Sequence, residues 1–149
     1  MQFLDCVLFL VISGLAIFLI GRIFPRQWIK ADKFPFKSYK WEQNGKFYEK
    51  LKVKKWKTKL PDASVIIGKI FPKFMPKKRI NGADKRNIKV LVKETSVAEF
   101  THLTSALLGL FCIKLWKGWG ALVSAVWIAL NLPFVIIQRY NRPRLIKAC

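Results

Sequence analysis

Residues 97–138 read VAEFTHLTSALLGLFCIKLWKGWGALVSAVWIALNLPFVIIQ, and their only formal charges are Glu99, Lys114 and Lys117. Two apolar arms, 97–115 and 118–138, meet at the short link Trp116-Lys117. At a rise of ~1.5 Å per residue, each arm reaches across most of a hydrocarbon layer ~30 Å thick. So short a link forces an antiparallel helical hairpin. Trp116 and Trp119 flank the turn, as expected of indole rings that prefer the headgroup level. Asn131 and Pro133 interrupt the second arm, and the backbone group that Pro133 frees needs a partner inside protein. That face should therefore pack against another helix.

Outward from the hairpin, the 149 residues segregate oil from charge. The chain is 52% hydrophobic with a net charge of +20, an odd pairing for a soluble globule. Arg22–Lys93 holds 22 of the 28 basic residues against five acids, a net of +17. Phe3–Ile20 is a further apolar run carrying only Asp5. No basic residue precedes that run, and Gly21-Arg22-Ile23-Phe24 does not resemble a cleavage site, so a retained anchor is favoured over a signal peptide. The expected fold is a mostly α integral membrane protein in one membrane domain, 1–149. Its parts are a first span at 3–20, a basic interfacial segment at 22–93, spans at 97–115 and 118–138, and a basic tail at 139–149. The positive-inside rule places the N-terminus outside and both basic segments in the cytoplasm.

Within the middle segment, KFYEKLKVKKWKTKLPD (46–62) interleaves aromatic and aliphatic residues with lysines. It reads as an amphipathic helix on the bilayer surface, apolar side in lipid and lysines toward anionic headgroups. VIIGKIFPKFMPKKRI (65–80) has the same ingredients broken by Pro72 and Pro76, which favours short turns. A segment this basic also suits nucleic acid, yet no nucleic-acid module is recognisable and both its ends are tethered in a bilayer. No nucleic-acid partner is expected. Cys6, Cys112 and Cys149 lack metal or redox spacing, and one histidine cannot build a multi-histidine centre, so neither disulfide nor metal is expected.

Polar chemistry converges on the mouth of the hairpin. Reflection about position 117.5 sets Glu94 opposite 141, Glu99 opposite 136 and His102 opposite 133. The acids thus face Gln138, Arg139, Asn141 and Arg142. Ser96 and Glu99 fit the S-x-x-E capping box, which would make Glu99 a helix-start residue. Arg139, Arg142, Arg144 and Lys147 also serve as a basic collar that sets topology. His102 lies about a turn below the interface, where an ionisable group is costly unless paired or facing a cavity. It is either a hydrogen-bonded histidine at a helix start or a general base toward a hydroxyl, with Glu99 orienting the ring. Nearby cations would stabilise an oxyanion, and the arginines would grip a phosphate on an acyl donor.

The strings FKSYKWEQNGKFYEKLKVKKWKTKLPD (36–62), KETSVAEFTHL (93–103) and NLPFVIIQRYNRPRL (131–145) together resemble the glycosyl-4,4'-diaponeurosporenoate acyltransferase family of staphyloxanthin-type carotenoid synthesis. The resemblance spans Phe36 to Leu145. It departs from the family's pattern at Val97, where an arginine is common, and at Leu103, where a tryptophan is. It implies a bacterial cell-membrane enzyme that transfers a fatty acyl group from a donor such as acyl-CoA to a sugar hydroxyl of a lipid-linked glycoside. No resident cofactor is expected. Glu94, Thr95, Ala98, Glu99 and His102 fit the family's string, and on the reading of the residues above the catalytic candidates are His102, Glu99 and Glu94. The substrate-binding candidates are Gln138, Arg139, Asn141, Arg142 and Arg144, with Trp56 and Lys57 from the KWK piece. Three spans make a thin bundle, so a homo-oligomer or partner helix would cover Asn131. The rival class is a non-catalytic polybasic scaffold that gathers anionic lipid or a partner subunit.

Overall fold

The computed structural model describes residues 2–61 and 85–149. Helices follow in the order α1 (Gln2–Ile23), α2 (Lys46–Lys50), α3 (Val53–Trp56), α4 (Lys85–Gly109), α5 (Cys112–Leu115) and α6 (Gly120–Lys147). Short 3-10 turns lie at Arg26–Trp28, Lys40–Gly45 and Lys57–Lys59, and no strand occurs among the described residues. Three helical stretches, Gln2–Ile23, Asn87–Leu115 and Gly120–Lys147, are long and apolar enough to cross a membrane. Leu8, Ile12, Leu15 and Leu19 on α1, with Leu122, Val126 and Leu130 on α6, lie about half exposed or more on the outside of the bundle. Such a surface suits lipid as solvent and would be a liability in water. The chain is a mostly α membrane protein.

The hairpin forms between α4 and α6, with α1 laid against α4. Its turn is wider than a two-residue link: α4 ends at Gly109, α5 makes one turn, and α6 resumes at Gly120. Close packing comes from small residues. A methyl group at Gly109 would lie 2.5 Å from the Trp127 ring, and one at Gly120 would lie 2.0 Å from the Cys112 carbonyl oxygen. Ser124 Oγ donates at 2.8 Å to the Gly109 carbonyl, and Trp127 Nε1 donates at 3.1 Å to that of Ser105. These contacts replace the hydrophobic drive that lipid cannot supply. At the turn, Phe3 meets Trp116 edge-on and Phe9 stacks on Phe111, which fixes the start of α1. The ends of α1 and α6 and the start of α4 consequently gather at the opposite, basic end.

Several expectations are corrected here. Helix α4 begins at Lys85 rather than near 97, so Ser96 is mid-helix and its hydroxyl bonds back to the Val92 carbonyl at 3.3 Å. No capping box forms there. Residues 139–147, expected as a tail, continue α6 despite Pro143. The 46–62 stretch is not one surface helix. Lys52, at φ 52°, breaks it between α2 and α3. Tyr48 and Val53 are buried against Tyr140, with Trp56, Ile136 and Ile137 beside them. Aromatic and branched side chains find a packed helix end here, so this part of the middle caps the bundle instead of turning all its apolar side to lipid. The 65–80 stretch lies outside the described residues.

Candidate functional site

At the basic end, α6 points Arg139 and Arg142 inward, three residues apart and so on one face. Arg139 donates from Nε to Glu99 at 2.7 Å, from Nη1 to Glu42 at 2.9 Å, and from Nη2 to the Pro35 carbonyl at 2.8 Å. Arg142 reaches Glu99, the Thr95 hydroxyl and carbonyl at 3.2 Å each, and the Phe36 carbonyl at 2.6 Å. Glu42, Glu99 and Arg142 are each 3% exposed or less. The cluster thus holds two carboxylates and two guanidiniums, its formal charges balanced. A buried charge is tolerated only when paired and hydrogen-bonded, and each of these is.

Glu42 enters from the turn Lys40–Gly45. It accepts from the Tyr39 backbone N–H at 2.6 Å and from the Tyr48 hydroxyl. Burial pushes its carboxyl upward, but the bonds from Tyr48, Tyr39 and Arg139 outweigh that and hold the pKa below the ordinary 4.5. Burial and the adjacent carboxylate push the Tyr48 phenol upward. The turn is positioned by Gly45, whose φ of 91° is left-handed and whose Cα sits where a methyl group would meet Arg144 at 3.3 Å and the Tyr140 carbonyl at 3.6 Å. The G-K-F string is therefore a close approach of backbone to α6.

Below the cluster, His102 Nδ1 lies 3.1 Å from Asn131 Oδ1, and its ring stacks on Phe134 with centroids 4.7 Å apart. Asn131 Nδ2 donates at 2.9 Å to the Trp127 carbonyl, which fixes the amide orientation. With Oδ1 as acceptor, Nδ1 must carry the proton, and the neutral ring keeps its lone pair on Nε2. An apolar groove of about 160 Å³ runs between α4 and α6, lined by Leu103, Ala106, Leu107, Ile128, Leu132 and Val135. A second cavity, about 280 Å³, opens at the basic end among Phe36, Lys37, Ser38, Arg142 and Lys147.

The expected residues are thus divided between places. Glu99 does not hold His102; it serves the two arginines, and Asn131 takes the ring. Asn131 is thereby partnered within the chain. Glu94 does not face 141. Five residues along a helix turn it by about 140° from Glu99, and it pairs with Arg26 at 2.6 Å and Arg22 at 4.0 Å. The reflected pairs for Glu99 and His102 stand within three residues of the observed partners, Arg139 and Asn131.

Arg139 gives three N–H bonds and Arg142 four to protein partners, and both also line the cavity at the basic end. Asn141 accepts from Lys57 Nζ at 2.9 Å, and Lys57 also lies over the Tyr140 ring. Burial, then Arg144 and Lys54, lower the Lys57 pKa. Arg144 stacks on Tyr140 and pairs with the exposed Glu49. Trp56 Nε1 donates to the Leu51 carbonyl at 3.0 Å. Gln138 is half-buried and joins none of these pairs among the described residues. Sequence reasoning passed over Glu42, although one of five acids in a stretch of net +17 was a signal that it would be paired.

Three apolar helices with a histidine, two carboxylates and two guanidiniums inside one end define a small helical membrane protein with a polar interior. The family described as glycosyl-4,4'-diaponeurosporenoate acyltransferase matches residues 25–149. Curated proteins of that name from Staphylococcus aureus strain bovine RF122 / ET3-1 and strain N315 are 29% identical over 147 residues and 30% identical over 145. Each comparison covers 94% of this chain and 83% of the relative. No solved structure matches. The chain belongs to this acyltransferase family and is an acyltransferase.

Proposed function

We propose that the chain transfers a fatty acyl group to a sugar hydroxyl of a glycosylated lipid, a glycosyl carotenoid being the acceptor named in its relatives. The observation that carries the site assignment is the His102–Asn131–Trp127 chain, which leaves Nε2 of a neutral imidazole as proton acceptor. The sugar oxygen attacks the acyl carbonyl carbon as Nε2 takes its proton, forming the ester C–O bond. Collapse breaks the bond to the donor, a thioester such as acyl-CoA, and the imidazolium returns the proton to the departing sulfur. No metal is needed for this proton traffic. Glu99, with Glu42, Arg139 and Arg142, acts as the rigid support one turn away, and Glu94 ties α4 to the end of α1. Trp56, Lys57, Asn141 and Arg144 hold the cap against α6, and Gln138 stands at its edge.

The apolar groove between α4 and α6 suits an acyl chain or polyene, since hydrocarbon there meets only aliphatic walls. The charge distribution supports an N-terminus outside the cell membrane, with the basic middle and C-terminus in the cytoplasm beside a soluble donor. Purified protein supplied with acyl-CoA and glycosylated acceptors is expected to form an ester detected by lipid mass spectrometry. His102→Ala should lower kcat by about 10²–10⁴-fold with insertion unchanged. Wild-type rates in that variant would remove the base assignment, and no ester from any acceptor with wild-type protein would favour a scaffold.

A further inference from the structure

The cavity of about 280 Å³ at the basic end is separate from His102. It lies against the last turns of α6, at Arg142, Pro143, Ile146 and Lys147, with Glu42, Arg139 and Arg142 of the buried charge cluster in its wall. Its ionisable lining is four cations, Lys37, Arg139, Arg142 and Lys147, against the acids Asp32 and Glu42. The cations differ in what they are committed to. Arg139 and Arg142 are bound to carboxylates and carbonyls, whereas Lys37 and Lys147 enter no ion pair among the described residues. These two lysines lie 110 positions apart in the chain and converge on one opening.

Ser38 is also in the lining, and its Oγ is enclosed with no hydrogen-bond partner among the described residues. A serine hydroxyl can supply a donor to an anion's oxygen. On another side stands Asn44, second of two consecutive non-glycine residues in the left-handed region, Gln43 at φ 48° and Asn44 at φ 55°. Such conformations persist where surrounding structure holds them, and they gather at ligand clamps. Phe36 and Pro143 supply an apolar wall. Sites that enclose drug-sized ligands run to roughly 300–1,000 Å³, so this one is sized for a small anionic group with a short organic stem.

We propose that the cavity bounded by Lys37, Ser38, Asn44 and Lys147 is a phosphate-binding site. Two ammonium groups neutralise the phosphate, and the Ser38 hydroxyl donates to one of its oxygens. The paired arginines behind contribute field rather than direct bonds. The phosphate belongs either to the nucleotide part of the acyl donor or to an anionic lipid headgroup. Only the first source rests on the acyltransferase mechanism proposed above.

The test uses the full chain in phosphatidylcholine nanodiscs. In one arm coenzyme A is titrated calorimetrically; in the other, phosphatidylglycerol is added to the discs and its retention is read by native mass spectrometry. Saturable binding is expected in at least one arm, weakened about tenfold by Lys37→Gln and by Lys147→Gln, and weakened by Ser38→Ala. Both lysines are exposed, so neither variant endangers folding. Lys40→Gln, an exposed lysine outside the cavity, is expected to change nothing. Coenzyme A binding assigns the donor, and phosphatidylglycerol retention alone assigns the headgroup. Binding in neither arm, or an equal loss with Lys40→Gln, overturns the site in favour of diffuse polybasic attraction. His102→Ala is expected to keep phosphate binding, so loss of acyl transfer and loss of this site are read separately.

Discussion

Replacing Glu99 by glutamine removes one negative charge from a buried cluster that holds two of each sign. Two guanidiniums would then face Glu42 alone, and the neutral amide would replace charge-assisted bonds to Arg139 at 2.7 Å and to Arg142. Glu99 is 3% exposed and Arg142 2%, so water reaches neither to compensate. Breaking a buried pair from one side costs about 3–5 kcal/mol, a large part of a total stability of about 5–15 kcal/mol. Glu99→Gln combined with Arg142→Gln restores the balance of charge, leaving Arg139 with Glu42. The double variant should therefore lose less than the sum of the singles, with a coupling of about 1–3 kcal/mol. The assay is reversible unfolding in mixed micelles followed by the fluorescence of the six tryptophans. A single-variant loss within about 0.5 kcal/mol, or strict additivity in the cycle, would refute a buried, mutually dependent cluster.

Three further outcomes are expected. Because the folded pKa of Glu42 lies below its ordinary 4.5, the unfolded chain binds more protons in acid. Its contribution is complete above about pH 4.5 and is lost as pH falls through the lower folded value. Glu42→Gln should flatten that acid limb, and an unchanged limb would assign the acid sensitivity elsewhere. Gly45→Ala, at φ 91°, should destabilise the cap by about 1–2 kcal/mol, measured in the same unfolding assay; equal stability would rule out the left-handed turn. Asn131→Leu takes the acceptor from His102 Nδ1, so kcat should fall while KM holds, by less than the loss of His102 itself. Kinetics identical to wild type would detach Asn131 from the ring.

The membrane class was legible because it is a one-dimensional property. A run of about 20 apolar residues must be helical in lipid whatever it later touches, so three apolar runs announced the three long helices. Two long apolar arms close together in sequence made the hairpin, although its turn is wider than the link suggested, and the hairpin brought Glu99 near Arg139 and His102 near Asn131. QRYNRPRL carried its inward arginines in plain view. The partners were harder to read. Glu42 lies 97 positions before Arg139, and no local pattern states that a turn ending in three left-handed residues will tuck one acid under α6.

What the amino-acid order determined alone was therefore the three long apolar helices and the segregation of charge, since hydropathy and helical rise act residue by residue. Only the tertiary structure decided which acid answers which arginine and why His102 is held by an amide rather than a carboxylate. Rotation about each helix axis depends on close packing at contacts such as Gly109 against Trp127. A buried charge also takes whichever partner the three-dimensional neighbourhood supplies, here from both ends of the chain at once.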